Sequence, residues 1–184
     1  TPGVGTTFST EAYTVDTVRP EVDIKVHVVG DPNDSTLIIG EKATVTFTFS
    51  EPIQDFDIID DLIVANGTLD SATLTQLTDK IWQITFTPTP GIQIDSNVIT
   101  LKNGSVWDLA SAPDPGNYND QSFDSNDFKI DTIATEVDSL IVSTGQVADA
   151  NVVAGDQFTV TVNFTDLMDI SAAQPALSFY DAAG

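Results

Sequence analysis

The strongest constraint in this sequence is that it matches itself. Shifted by 115 positions (131 − 16), several segments superimpose without a gap. Phe8 falls on Phe123, and Tyr13-Thr-Val-Asp-Thr17 falls on Phe128-Lys-Ile-Asp-Thr132. Glu21-Val-Asp23 meets Glu136-Val-Asp138, Gly40 meets Gly155, Thr44-Val-Thr46 meets Thr159-Val-Thr161, and Phe49-Ser-Glu51 meets Phe164-Thr-Asp166. A fixed period of this length marks a tandem array of compact units. It divides the chain into 1–15, the last strand of one unit with its linker; 16–130, a whole unit; and 131–184, the first half of the next. The last piece, 54 residues (184 − 130), is too short to close a core by itself. The chain is therefore expected to be a segment of a longer repetitive protein.

Within the whole unit the pattern is β throughout. Val22, Ile24, Val26 and Val28 alternate with Asp23, Lys25 and His27, a period of two that sends one face inward. Ala43, Val45, Phe47 and Phe49 alternate with threonines in the same way, and Ile84 and Phe86 mark a further strand around Trp82. Turn signals separate these runs: Gly30-Asp-Pro-Asn-Asp34, Asn66-Gly67, Pro88-Thr-Pro-Gly91, Asn103-Gly104 and Pro113-Asp-Pro-Gly116. About seven short strands over this span predict an all-β, immunoglobulin-like Greek-key sandwich. The expected strands lie near 20–29, 42–50, 57–65, 70–77, 80–87, 96–107 and 121–130.

Charge narrows the functions open to such a sandwich. Twenty-eight acids face six bases, a formal net charge of −22. A surface of this sign repels nucleic acid and anionic membrane, and it suits divalent cations. No apolar run is long enough for a membrane-spanning helix. With no cysteine, thiol catalysis and Cys-based zinc sites are excluded, as are disulfide-built extracellular modules.

In a seven-stranded sandwich the chain alternates between two poles, and the acids divide between them unevenly. One pole is expected to gather Asp16 from the entering linker, Glu51 and Asp55 from the second loop, and Asp108, Asp114 and Asp120 from the last loop. The following unit places Asp131 and Asp166 at the equivalent positions, and Asp31 and Asp34 face that junction from the opposite pole. Two carboxylates ~4 Å apart repel by about 4 kcal/mol at an effective dielectric constant of about 20. A hard divalent cation that accepts several oxygen ligands, Ca²⁺ above all, would offset that repulsion.

Thr44-Val-Thr-Phe-Thr-Phe-Ser-Glu-Pro-Ile53, Asn66-Gly67, Trp82-Gln-Ile-Thr-Phe-Thr-Pro88 and Asp131-Thr132 together resemble the bacterial Ig-like tandem repeats of giant, RTX-type biofilm adhesins. The resemblance covers 13–132 and, more loosely, 133–184. It implies a secreted, extracellular cell-surface stalk without catalytic activity, whose partners are the neighbouring repeats of the same chain, with Ca²⁺ at the junctions. Carried onto this chain, the linker acid is Asp16, and again Asp131; the Phe-Ser-Glu glutamate is Glu51, with Asp166 in its place in the next unit. The family's short Asp-x-x-Gly-Asn loop is stretched here to Asp108-Leu-Ala-Ser-Ala-Pro-Asp-Pro-Gly-Asn117, which leaves Asp108 and Asp114 both open as the loop ligand. In the second linker Ala134-Thr135 stand where Arg19-Pro20 stood.

Competing chemistry finds little support. His27 is the only histidine, and it alternates out of phase with the inward valines, so a catalytic triad or a transition-metal site has no starting point. A second reading remains: a carbohydrate- or ligand-binding module, with Trp107 and the long last loop as its platform.

Overall fold

In an extended chain the side chains of Val22, Ile24, Val26 and Val28 point one way and those between them the other, so burying the first set leaves the second in water. The computed structural model describes residues 15–54, 56–109, 116–143, 157–166 and 176–178, and it places these four residues at 8% exposure or less. The described strands, in chain order, are β1 (Val22–Val28), β2 (Thr36–Ile38), β3 (Ala43–Phe49), β4 (Ile53–Gln54), β5 (Leu62–Val64), β6 (Gly67–Gln76) and β7 (Ile81–Pro88). They continue as β8 (Gln93–Asn97), β9 (Ile99–Leu101), β10 (Trp107–Asp108), β11 (Phe123–Asp124), β12 (Phe128–Asp131), β13 (Val137–Ser143) and β14 (Thr159–Phe164). No described residue is helical.

The chain divides into two compact units, 1–133 and 134–184. In the first, an antiparallel sheet in the order β1-β3-β7-β6 faces a second layer made of β11-β9-β5 and β2-β12-β8, in which only β12 and β2 run parallel. Between the layers lies one core. Ile24, Val45, Phe47, Ile84 and Phe86 fill it from the first sheet, and Leu37, Ile99, Leu101, Phe128 and Ile130 from the second. Phe86 meets Phe128 edge-on across it, with ring centroids 5.5 Å apart. Ring quadrupoles favour this geometry. Trp82 is in phase with Ile84 and Phe86 and packs edge-on against Phe56 at 5.8 Å. The first unit is an all-β immunoglobulin-like sandwich.

Several expected strands are shorter or more broken than the sequence pattern indicates. The strand expected at 57–65 starts only at Leu62, because Asp61 closes a turn: its backbone N donates to Asp57 O (2.8 Å), and its Oδ2 accepts from Asp57 N (2.6 Å). The run at 96–107 is split into β9 and β10, with β8 ending at Asn97. The last run is split at Ser125 and Asn126. Asn126 uses its side chain as a surrogate strand: Oδ1 accepts from Val26 N (2.7 Å) and Nδ2 donates to Val26 O (3.0 Å). These bonds satisfy backbone groups on the outer edge of β1, which an open edge would leave for another chain.

The register of β1 on β3 defines two poles. Val22 pairs with Phe49 at one, and Val28 pairs with Ala43 at the other. The chain leaves the first unit at the second pole, where Thr132 is tied to the 89–92 loop. Its N donates to Ile92 O (2.8 Å), its O accepts from Gly91 N (3.1 Å), and its Oγ1 donates to Thr89 O (2.8 Å).

The second unit, taken by itself, repeats local bonds of the first at the 115-residue offset. Val137 pairs with Phe164 as Val22 pairs with Phe49. Thr165 N donates to Glu136 O and Ser50 N to Glu21 O, both at 2.9 Å. The hydroxyl of Thr165 accepts from Glu136 N (2.9 Å) as that of Ser50 does from Glu21 N (3.0 Å). Beyond Val137 a bulge shifts the pairing of β13 with β14.

Candidate metal centre

At the first pole three segments distant in sequence converge. Glu51 stands two residues beyond β3, on a corner built by Ser50, whose bonds to Glu21 are given above and whose carbonyl accepts from Lys80 Nζ (2.9 Å). Asp108 ends β10, where antiparallel pairing with β4 sets it opposite Ile53. Asp16 lies in the entering linker, and its Oδ1 accepts from Val18 N (3.0 Å), a small turn of the kind aspartate makes with the backbone two residues on. One carboxylate oxygen from each of Asp16, Glu51 and Asp108 lies within 4.8 Å of the other two.

The three sit at graded depth: Asp16 is exposed, Glu51 half-buried, and Asp108 only 2% exposed. Asn117 fixes Asp108 from the far side of the loop. Its backbone N donates to Asp108 Oδ1 (2.9 Å) and its Nδ2 to Oδ2 (2.8 Å). The same amide also reaches Asp16 O (3.2 Å), so one side chain joins the linker to the loop acid. Asn117 was the residue that sequence reasoning passed over. Its signal was present as the closing residue of the stretched loop motif, to which no role was given.

Electrostatics at the centre is unfavourable as it stands. Burial raises the Glu51 carboxyl above its ordinary range, the charges of Asp108 and then Asp16 raise it further, and Lys80 opposes them. Glu51 Oε1 is buried and makes no hydrogen bond. A buried polar oxygen without a partner calls for a specific explanation. The donor set is all oxygen and carries three potential negative charges. That suits a hard divalent cation and not a metal that selects nitrogen or sulfur. The residues present fit Ca²⁺.

The other acids singled out by sequence are placed elsewhere. Asp131 lies at the opposite pole of the first unit, half-buried, its Oδ2 accepting from Gln93 Nε2 (3.3 Å) and its Oδ1 from Ile133 N (3.4 Å). This last bond repeats the Asp16–Val18 turn at the 115-residue offset. Asp166 follows β14 in the second unit and is half-buried. Asp114, and Asp55 with it, lies outside the described residues. Asp120 is drawn into an ion pair with Arg19 (3.4 Å). Asp31 and Asp34 build their own loop, accepting from Asn33 N (2.9 Å) and Thr36 N (2.8 Å).

Residues 16–130, more than half of the chain, match the family model described as bacterial Ig-like domain. The chain belongs to that family. No curated protein and no solved structure matches it. Bacterial Ig-like domains are typically structural, non-catalytic modules and are common in surface proteins. In this Ig-like domain the acid triad occupies the pole at which the chain enters.

Proposed function

We propose that this Ig-like domain is one unit of an extracellular stalk in a bacterial surface adhesin, stiffened by Ca²⁺ where each linker enters its unit. The observation that carries the reading is the meeting of a linker acid, Asp16, with two loop acids, Glu51 and Asp108, around a buried oxygen that lacks a partner. A bound divalent cation supplies the positive charge that turns this repulsion into attraction. The protein's part is to bring the ligands together: Asn117 orients Asp108, Ser50 sets the corner that presents Glu51, and the Val18 turn aims Asp16. Because Asp16 belongs to the linker and the other two to the sandwich, ligation at all three restrains the angle at which the chain enters. At the other pole Thr132 restrains the angle at which it leaves.

The tandem arrangement is supported by the ungapped self-match together with the recurrence of the Glu21–Ser50 bonds at Glu136–Thr165. Neighbouring repeats of the same chain would then be the principal partners. The carbohydrate-binding alternative has less support. Arg19 lies over the Tyr118 ring, 4.9 Å from its centroid, and Trp107 meets Tyr118 edge-on at 5.3 Å, so no flat aromatic pair is presented.

Melting the protein in EDTA and in millimolar Ca²⁺ tests the reading. At a hundredfold excess over Kd, a ligand of the folded state adds about 2.7 kcal/mol of stability. An unchanged melting temperature would rule the calcium-stiffened stalk out.

A further inference from the structure

The linker acid is the least supported member of the triad. Residues 15–19 are all exposed, and Glu51 and Asp108 repel Asp16 unless a cation is present. Something other than the cation must hold the linker in place if the site is to be assembled before binding. Arg19, three residues on, makes the contacts required. Its Nη1 donates to Tyr118 O (3.1 Å), its Nε lies 3.4 Å from Asp120 Oδ2, and its guanidinium carbon stands 4.9 Å above the Tyr118 ring. A planar guanidinium donates along its edge to both acceptors while its face lies on the ring, a fixed geometry that an ammonium group lacks.

The surface that Arg19 grips is anchored from beneath by hydrogen bonds. Between Tyr118 and Asp120 lies Asn119, which is 0% exposed. Its Oδ1 accepts from Ser105 N (2.9 Å) and Val106 N (3.0 Å), and its Nδ2 donates to Lys102 O (2.7 Å) and Gln121 O (3.0 Å). Just before Tyr118, Asn117 holds Asp108 and touches Asp16 O. Just after Arg19, Pro20 is buried. The linker is thus bolted to the loop that carries the second ligand's support.

We infer that Arg19 is a positioning residue for the cation site: it latches the linker to residues 118–120 and holds Asp16 beside Glu51 and Asp108 before any metal arrives. This deepens the proposed function and rests on it. The latch is not repeated. At the 115-residue offset Ala134 and Thr135 replace Arg19 and Pro20, so the linker after residue 130 has no side chain that can make these contacts. Of the two linkers, only the first carries an arginine at this position.

The test uses the full 184-residue chain with Ca²⁺ alone as the probe, in wild type, Arg19→Met and Arg19→Lys. Arg19→Met is expected to weaken Ca²⁺ binding about tenfold in calorimetry, and Arg19→Lys, which keeps the charge but loses the fork, to recover only part of that. Amide exchange in EDTA gives the metal-free readout: Val18, bonded to Asp16, should be protected in wild type and lose protection in Arg19→Met, with exchange in β3 and β7 unchanged. Equal Ca²⁺ affinity and equal Val18 protection in wild type and Arg19→Met would overturn the latch while leaving the stalk reading intact. Wild-type protein that binds no Ca²⁺ would overturn the stalk reading, and Arg19's role toward a cation with it.

Discussion

Glu51 is the residue on which the centre turns, because its ionised form is disfavoured in the folded protein. Burial is the first cause, and the charges of Asp108 and Asp16 follow. A carboxyl whose folded pKa is raised contributes stability that is complete below its ordinary pKa and is lost as pH rises through the folded value. In EDTA, wild-type protein should therefore gain stability relative to Glu51→Gln as pH falls from neutrality toward the ordinary value of 4.5. Replacing Glu51 by Gln should act with opposite signs in the two states. In EDTA at pH 7 it removes a repelled charge and should raise the melting temperature. In Ca²⁺ it removes a ligand, and should abolish most of the calcium-induced shift. Melting the two proteins across pH, with and without the ion, checks both signs. Asp61 is also raised, chiefly by burial, and adds a contribution of the same sign to wild type and variant alike.

At the scale of elements, the sandwich depends on a few places where two segments approach too closely for any substitute. Gly67 opens β6 opposite Pro88, and a Cβ there would overlap the Phe86 ring and lie 2.6 Å from Thr87 O. Phe86 is fully buried and cannot swing away. Gly67→Ala should cost about 1–3 kcal/mol, the usual range for overpacking, measurable by urea denaturation. Asn119 is the corresponding polar keystone. Asn119→Ala removes the side-chain partner of the Ser105 and Val106 amides and of the Gln121 carbonyl, while Lys102 O keeps its bond from Ser105 Oγ (2.8 Å). With about 1–3 kcal/mol for each buried group left unsatisfied, a loss of at least about 2 kcal/mol is expected in the same assay. Because Asn117, which holds Asp108, lies two residues before Asn119, this variant should also weaken Ca²⁺ binding. Gly67→Ala, in a different part of the sandwich, should not.

For the molecule as a whole, the two units should differ sharply in stability. In the first, Val45, Phe47 and Phe49 of β3 are 0–2% exposed, covered by a complete second layer. Their counterparts in β14, Val160, Val162 and Phe164, are only half-buried, and in β13 Val137, Leu140, Ile141 and Val142 are 54–58% exposed. A two-stranded sheet is marginal in water. Amide exchange should therefore be slowest in β3 and β7 and near the unprotected rate in β13 and β14. Comparable protection in both pairs would mean that something covers the second unit. The net charge of −22 acts on the whole chain as self-repulsion.

What the sequence determined by itself was whatever depends on neighbours along the chain. The alternation of Val22 to Val28 and of Ala43 to Phe49 placed β1 and β3 to within a residue or two, because the period of two is set by the backbone of each strand. Turn chemistry at Asn66-Gly67 and Pro88-Thr-Pro-Gly91 separated the runs for the same reason, and composition showed that acids outnumber bases. The breaks between β8, β9 and β10 were not visible, since a strand ends where its partner does. The sequence set Asp16, Glu51 and Asp108 at one pole but could not separate them from Asp55, Asp114 and Asp120, which it set there too. Asp16 and Asp108 are 92 residues apart (108 − 16), and Asp120 is of the same chemical type and was expected at the same pole, yet it pairs with Arg19. Only the tertiary structure brought one oxygen from each of Asp16, Glu51 and Asp108 within 4.8 Å of the others, because their separation in space depends on every strand packed between them. It also supplied Asn117 and Arg19, whose roles come from what they touch and leave no periodic trace in the chain.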